Sequence, residues 1–361
     1  MSLDPAVATS VALGGAVLGI ILGFIARWTR FCTLSAVETA IYGDNTVQIR
    51  MWVFAIAIAA AGTALLVHGG LVDISETVHL LPRFAVAGPV LGGLMFGLGM
   101  AAVGTCGFGS VLRAGGGDLR GLVVVLVIGV TGYMTIRGIF ALPRLAYVET
   151  LSLPLPIGTN ATLGSLLIDV AGLGFPSLKL PIALGASSLL ALWCLAGRDF
   201  RTNGKALAGS TIVGLTVIGG WFVTGWIGGD EFNPQPVESL SFVAAAGATV
   251  IYLMTFTGAT VTFGVGLFIG VLAGSFLAAW KFDELRLDAF DDPREMRRHL
   301  SGAVLMGVGG VLSMGCSIGQ GLTGVSTLAL PSFLALLSIW AGAALGLHLL
   351  FSGWSLWPRR R

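Results

Sequence analysis

Apolar runs about as long as a bilayer is thick recur along the whole chain, with glycine scattered through them and charge gathered in the stretches between. A helix needs roughly 20 mostly apolar residues to cross hydrocarbon. On that measure nine spans are expected, at about 7–27, 51–71, 84–104, 120–142, 181–197, 206–228, 261–280, 300–315 and 333–352. The shorter apolar run at 241–257 is expected to be a half-helix or re-entrant piece that does not cross. The fold class predicted is therefore all-α and polytopic: about nine transmembrane helices plus half-helices, in a single integral membrane domain.

Two glycine-rich turns interrupt this pattern at corresponding places. GTCGFGSVLRAGGG covers 104–117 and GCSIGQGLTG covers 315–324, with Cys106 and Cys316 separated by 316 − 106 = 210 residues. At the same offset Gly92 meets Gly302, Gly97 meets Gly307, Gly99 meets Gly309, Gly109 meets Gly319 and Gly132 meets Gly342. A weaker register pairs Gly15, Gly19 and Gly23 with Gly266, Gly270 and Gly274 at an offset of 251. The expectation is two pseudo-symmetric halves, 1–143 and 259–361, with 144–258 connecting them and with Cys-bearing hairpins entering from opposite faces. Glycine also lets helices pack closely, but packing does not explain a cysteine at the same place in both copies. Backbone that leaves helical geometry inside a membrane is tolerated only when buried in protein or lining a wet cavity. Paired breaks of this kind point to a transporter's substrate site.

Composition narrows the class. Of 361 residues 55% are hydrophobic and 11% charged, against about 25% charged in soluble domains, so the partner of most of the surface is a lipid bilayer. A net charge of +2 with no basic stripe argues against nucleic acid. Basic residues gather at Arg27, Arg30 and Arg50, at Arg198, Arg201 and Lys205, at Lys281 to Arg298, and at Arg359 to Arg361. The positive-inside rule makes these segments cytoplasmic, which sets the N-terminus outside and the C-terminus inside. The N-terminal run has no basic region before it and is expected to be the first span rather than a signal peptide. Four cysteines without CxxC spacing and four scattered histidines give no disulfide framework, metal site or cofactor motif.

The candidate pathway follows from the two turns and Cys32. Cys106, with Gly107, Gly109, Ser110 and Arg113, and Cys316, with Ser317, Gly319 and Gln320, combine a thiol with backbone N–H groups suited to an anion. Arg113 can add a full charge or anchor at the interface, and Gln320 can donate an amide N–H, with Ser110 in the matching position. The thiols can act as neutral S–H donors that hold a soft anion weakly, or as thiolates that take sulfur covalently. The first avoids the cost of burying an isolated charge. Cys194 sits in a plain span and reads as filler, whereas Glu38 and Asp169 are acids near apolar sequence, functional by default in such a setting.

FC at Phe31 and Cys32, the GTCGFGSVLRAGGG turn and MGCSIGQGLTG resemble the YeeE/YedE family of bacterial inner-membrane proteins, the sulfur transport family, over most of both halves. The resemblance implies uptake of thiosulfate with Cys32, Cys106 and Cys316 lining the path. It also implies a soluble TusA-type sulfur carrier on the cytoplasmic side, which would be a separate chain. From the expected topology the anion meets Cys106 first, then Cys316, then Cys32. Two rivals remain at this point: a membrane sulfurtransferase that forms a cysteine persulfide, and an accessory subunit that docks a partner through Lys281 to Arg298.

Overall fold

The computed structural model describes residues 5–43, 45–75, 77–80, 86–148, 162–164, 178–229 and 235–352. Asp169 and the terminal arginines at 359–361 lie outside them. Among the described residues there is no sheet, only two isolated bridges, and the helices are α1 (Pro5–Thr29), α2 (Thr33–Tyr42), α3 (Val47–His68), α4 (Ala87–Val103), α5 (Gly107–Gly115), α6 (Leu119–Arg137), α7 (Lys179–Ala196), α8 (Gly204–Phe222), α9 (Val243–Met254), α10 (Phe263–Lys281), α11 (Pro293–Leu312) and α12 (Leu330–Ser352).

Eight segments among these residues are long and apolar enough to cross a membrane. They coincide with eight of the nine spans expected. The ninth, at 300–315, falls in α11, whose opening turns carry Arg294, Glu295, Arg297 and Arg298 and so shorten its apolar stretch. Helix α9 has 12 residues, too few to cross. Leu13, Val17, Leu189, Leu192 and Leu337 are exposed along the long helices, as they are where the surrounding solvent is hydrocarbon. The chain is a multi-pass membrane protein.

Glycines of both registers lie where helices meet. In the α1–α10 pair, a Cβ on Gly19 would lie 2.9 Å from the Cα of Gly270, and one on Gly23 would lie 2.9 Å from the Cα of Val271. Gly15 faces Phe263 and Leu267, Gly19 faces Leu267 to Val271 and Gly23 faces Val271 to Ser275, so α1 and α10 run parallel. The α4–α11 pair also meets through glycine, Gly92 against Gly309 and Gly99 against Gly302, but here the numbers rise on one helix as they fall on the other. An in-plane two-fold axis turns a helix end over end, and it relates antiparallel mates only. The α4–α11 pair fits that relation and the parallel α1–α10 pair does not, so the 251 register marks a packing seam rather than an inverted equivalence.

Candidate functional site

Three helices end and restart in the same way, each around a cysteine. Two residues before each thiol the backbone enters the left-handed region, at Arg30 (φ 56°), Gly104 (φ 78°) and Met314 (φ 58°). That turn ends α1, α4 and α11, and the cysteine opens the next segment. For residues with a Cβ the left-handed turn costs about 1–2 kcal/mol, which Arg30 and Met314 both bear. The device at Cys32 is the same as at the other two, although its sequence is not part of the 210-residue repeat.

Cys106 is the N-cap of α5, and its Sγ accepts the Gly109 N–H at 3.3 Å. The Cys316 Sγ accepts the Gly319 N–H at the same 3.3 Å. A Cβ at Gly109 or at Gly319 would stand 3.7 Å from its own thiol, an ordinary contact, but at Gly109 it would collide with the Thr105 hydroxyl, and at Gly319 it would press on the Ser241 hydroxyl at 3.3 Å. Both thiols are fully buried and Cys32 is half-buried. After Cys316 the chain takes wider π-type turns over Gly319–Gly324, a geometry that recurs at functional sites.

The three arms meet. Cys32 Sγ lies 3.9 Å from Thr105 Oγ1, which sets it beside the Cys106 turn, with the two thiols as neighbours. Thr33 Oγ1 donates to Ser317 Oγ at 3.0 Å in the interior, which seats the Cys32 arm on the Cys316 arm. Cys316 in turn lies near Cys106. Phe31, stacked on Trp52 with ring centroids 5.0 Å apart, fixes the Cys32 arm from behind. Thr33, Thr105 and Trp52 were not singled out in the sequence. Their only signal is adjacency to the cysteines for the first two, and for Trp52 there is none.

The remaining candidates hold the turns in shape. Ser110 Oγ donates to the Cys106 carbonyl at 3.2 Å. Gln320 Nε2 donates to the Ser313 carbonyl at 2.8 Å, so that amide braces the Cys316 turn from inside. Arg113 is exposed and donates to the Gly104 carbonyl at 3.1 Å, binding the end of α4 to the end of α5. Gly107 has open space around its Cα, its nearest neighbour being Ile128. Arg27, read in the sequence only as a cytoplasmic charge, reaches the Leu112 carbonyl at 3.0 Å and pairs with Glu284 at 3.5 Å.

Other residues stand apart. Cys194 is buried in α7, and its carbonyl accepts from Arg50 at 3.1 Å. Glu38 is exposed on α2. His79 lies beside Gln320, and burial lowers its pKa to about 4, leaving the ring neutral at ordinary pH. The 281–298 segment is strapped over the α5–α6 turn: Leu119 N–H donates to the Asp288 carbonyl at 2.9 Å, and Arg120 pairs with Asp118, Asp288 and Glu295. No cluster among the described residues has the ligands to hold a metal.

Such a site can hold a small anion by backbone N–H dipoles and weak sulfur contacts, with no fixed positive charge in its centre. The chain is 27% identical over 341 residues to a protein of Spirochaeta thermophila named thiosulfate transporter TsuA, covering 89% of this chain and 93% of that one. It is 25% identical over 378 residues to the Escherichia coli protein of the same name, covering 92% and 94%. The family described as sulphur transport matches residues 28–345, and the chain belongs to it.

Proposed function

We propose that this protein takes up thiosulfate, or a closely similar sulfur anion, across the bacterial inner membrane along a path formed by Cys316, Cys106 and Cys32. The observation that carries the reading is the meeting of three thiol-bearing arms, each thiol at the start of a helical segment, two of the thiols buried and that of Cys32 half-buried. Helix N-termini attract anions. A neutral thiol adds a weak donor and a weak acceptor, and conduction needs sites that release as readily as they bind. Two relatives named as thiosulfate transporters, aligned over about nine-tenths of the chain, support the substrate.

A cavity beside α1 and α10 is lined by Ser241, whose hydroxyl lies next to Gly319 in the Cys316 turn. With the N-terminal end of α1 outside, that cavity opens outward, and the order along the path becomes Cys316, Cys106, Cys32. This reverses the first two steps of the order drawn from topology alone. Half-buried Cys32 then stands nearest the cytoplasm, where a soluble sulfur carrier of the TusA type would receive the cargo.

Purified protein in vesicles is expected to take up labelled thiosulfate, with competition by selenium analogues of the terminal sulfur and about tenfold weaker competition by sulfate, one charge-assisted hydrogen bond being worth roughly 1.5–3 kcal/mol. Sulfate competing as well as thiosulfate would remove the thiols from recognition. Transport by the purified chain alone also excludes a purely accessory role.

The transport path needs no covalent step. After incubation with thiosulfate, the intact mass of the protein is expected to be unchanged. A stoichiometric gain of about one sulfur atom at a pathway cysteine would instead mark a sulfurtransferase, whose thiolate would be the nucleophile.

A further inference from the structure

The cavity that touches the Cys316 turn has a volume of about 240 Å³ and is bounded by α1 at Val11, by the 235–241 segment, by the start of α9 and by the start of α10. That exceeds by several times the roughly 30 Å³ that one water occupies, so an oxyanion fits with part of its hydration. Two helices begin at this cavity. Helix α9 contributes Ala244 and Ala245, and α10 contributes Phe263 and Gly264 after its N-cap Thr262. Their free N–H groups and dipoles favour negative charge.

One negative group is already there. The Glu238 carboxyl lines the cavity beside Gly264 at the start of α10, in the position that a captured anion would take. Its backbone is pinned: Thr224 Oγ1 donates to the Glu238 carbonyl at 2.6 Å, and the Glu238 N–H donates to the same hydroxyl oxygen at 3.2 Å. The side chain is therefore held at the cavity by design of its neighbours. Among the described residues, neither α1, the 235–241 segment, α9 nor α10 presents a second ionisable group to this space. Gln235, Ser239, Ser241 and Thr262 are its polar but uncharged companions.

Thiosulfate is a dianion at neutral pH, and a like charge in the same pocket opposes it. Adding one proton to the Glu238 carboxylate turns an occupied anion site into a vacant one whose lining is neutral and rich in donors.

We propose that Glu238 is the proton-binding group of an anion vestibule: thiosulfate fills the cavity only when Glu238 carries a proton, so each anion captured takes one proton from the same solution. The proposal rests on the thiosulfate reading above and adds a proton to its substrate. Burial raises the Glu238 pKa to about 7, which places the exchange in the physiological range. The sign follows. Below about pH 6 the carboxyl is already neutral and capture takes up almost no proton, whereas above about pH 8 it is ionised and capture takes up about one.

Calorimetric titration of the full chain with thiosulfate, in two buffers of different ionisation enthalpy, counts the protons. Near pH 8 the wild type is expected to take up about one proton per anion, near pH 5.5 almost none, and Kd is expected to weaken about tenfold per pH unit above 7. Glu238→Gln, which keeps the shape and a polar head, is expected to bind with a Kd independent of pH and to take up no proton. Wild-type binding near pH 8 without proton uptake overturns the proposal, as does a Glu238→Gln protein that still takes up a proton. Where that variant does not fold, the wild-type count decides alone. Wild type that neither binds nor transports thiosulfate at any pH removes the substrate reading itself, a result distinct from binding without a proton.

Discussion

Vesicles carrying Cys106→Ala or Cys316→Ala protein are expected to take up thiosulfate at less than about a tenth of the wild-type rate. A hydrogen bond to a charged partner is worth roughly 1.5–3 kcal/mol, which is about tenfold to a hundredfold in rate. The same change has a structural cost to be separated out. Each Sγ accepts a Gly N–H at 3.3 Å and so caps the segment that follows. Losing an N-cap costs about 1 kcal/mol, enough to lower Tm by a few degrees but not to unfold the bundle. Serine divides the two effects, because its oxygen restores the cap and its smaller, harder hydroxyl does not restore the sulfur. Cys106→Ser and Cys316→Ser are therefore expected to melt near wild type while transporting well below it. Full uptake by both serine variants would reduce the thiols to caps.

The largest effect on folding is expected at the α1–α10 seam. A Cβ on Gly270 would lie 2.9 Å from the Ala16 carbonyl carbon and 3.0 Å from its Cα. Backbone cannot swing away as a side chain can, so Gly270→Leu has to push the helices apart along their shared length. Overpacking a core costs about 1–3 kcal/mol where side chains can adjust, and here they cannot. The expected outcome is loss of the monodisperse peak in detergent size-exclusion chromatography. Gly185 on α7 is the control, with nothing within 4 Å of its added Cβ. Alanine there keeps the fold and raises helix propensity by about 1 kcal/mol. If Gly270→Leu ran as well as Gly185→Ala, the seam would not be the close contact described.

The membrane class and the spans were legible because both follow from a simple quantity, the length of an apolar run. The run at 300–315 differs from the other eight because its helix, α11, also takes in the arginines at its start, so no full-length window of it is free of charge. The glycine registers were legible as repetition but not as contact. Sequence offset cannot tell an inverted mate from a packing partner, and α1–α10 turned out to be the second. Cys106 and Cys316 were legible together, since the same residues recur around both. The likeness of Cys32 to them lies in a left-handed turn at Arg30, Gly104 and Met314, a backbone property that three different side-chain contexts conceal. Gln320 was expected to offer an amide N–H to an anion. Its Nε2 also donates to the Ser313 carbonyl, a bond the sequence did not suggest, because a chain that reverses this tightly leaves carbonyls that the nearest donor must satisfy. Glu238 was passed over as one acid in a polar loop, since nothing in DEFNPQPVESL tells that its carboxyl lines a cavity beside the start of α10.

The two glycine seams also limit how this protein can move. Where main chain rests on main chain, shifting one helix by a third of a turn drives a side chain into the groove that a missing Cβ had left, so neither α1 against α10 nor α4 against α11 has a second comfortable seating. Rocking one half of the molecule over the other would require unseating both. On the proposed path, the traffic of a small ion would then fall to the short cysteine turns and the hydroxyls around them, local parts flexing within a stationary frame, more like a turnstile set in a wall than a pair of swinging doors.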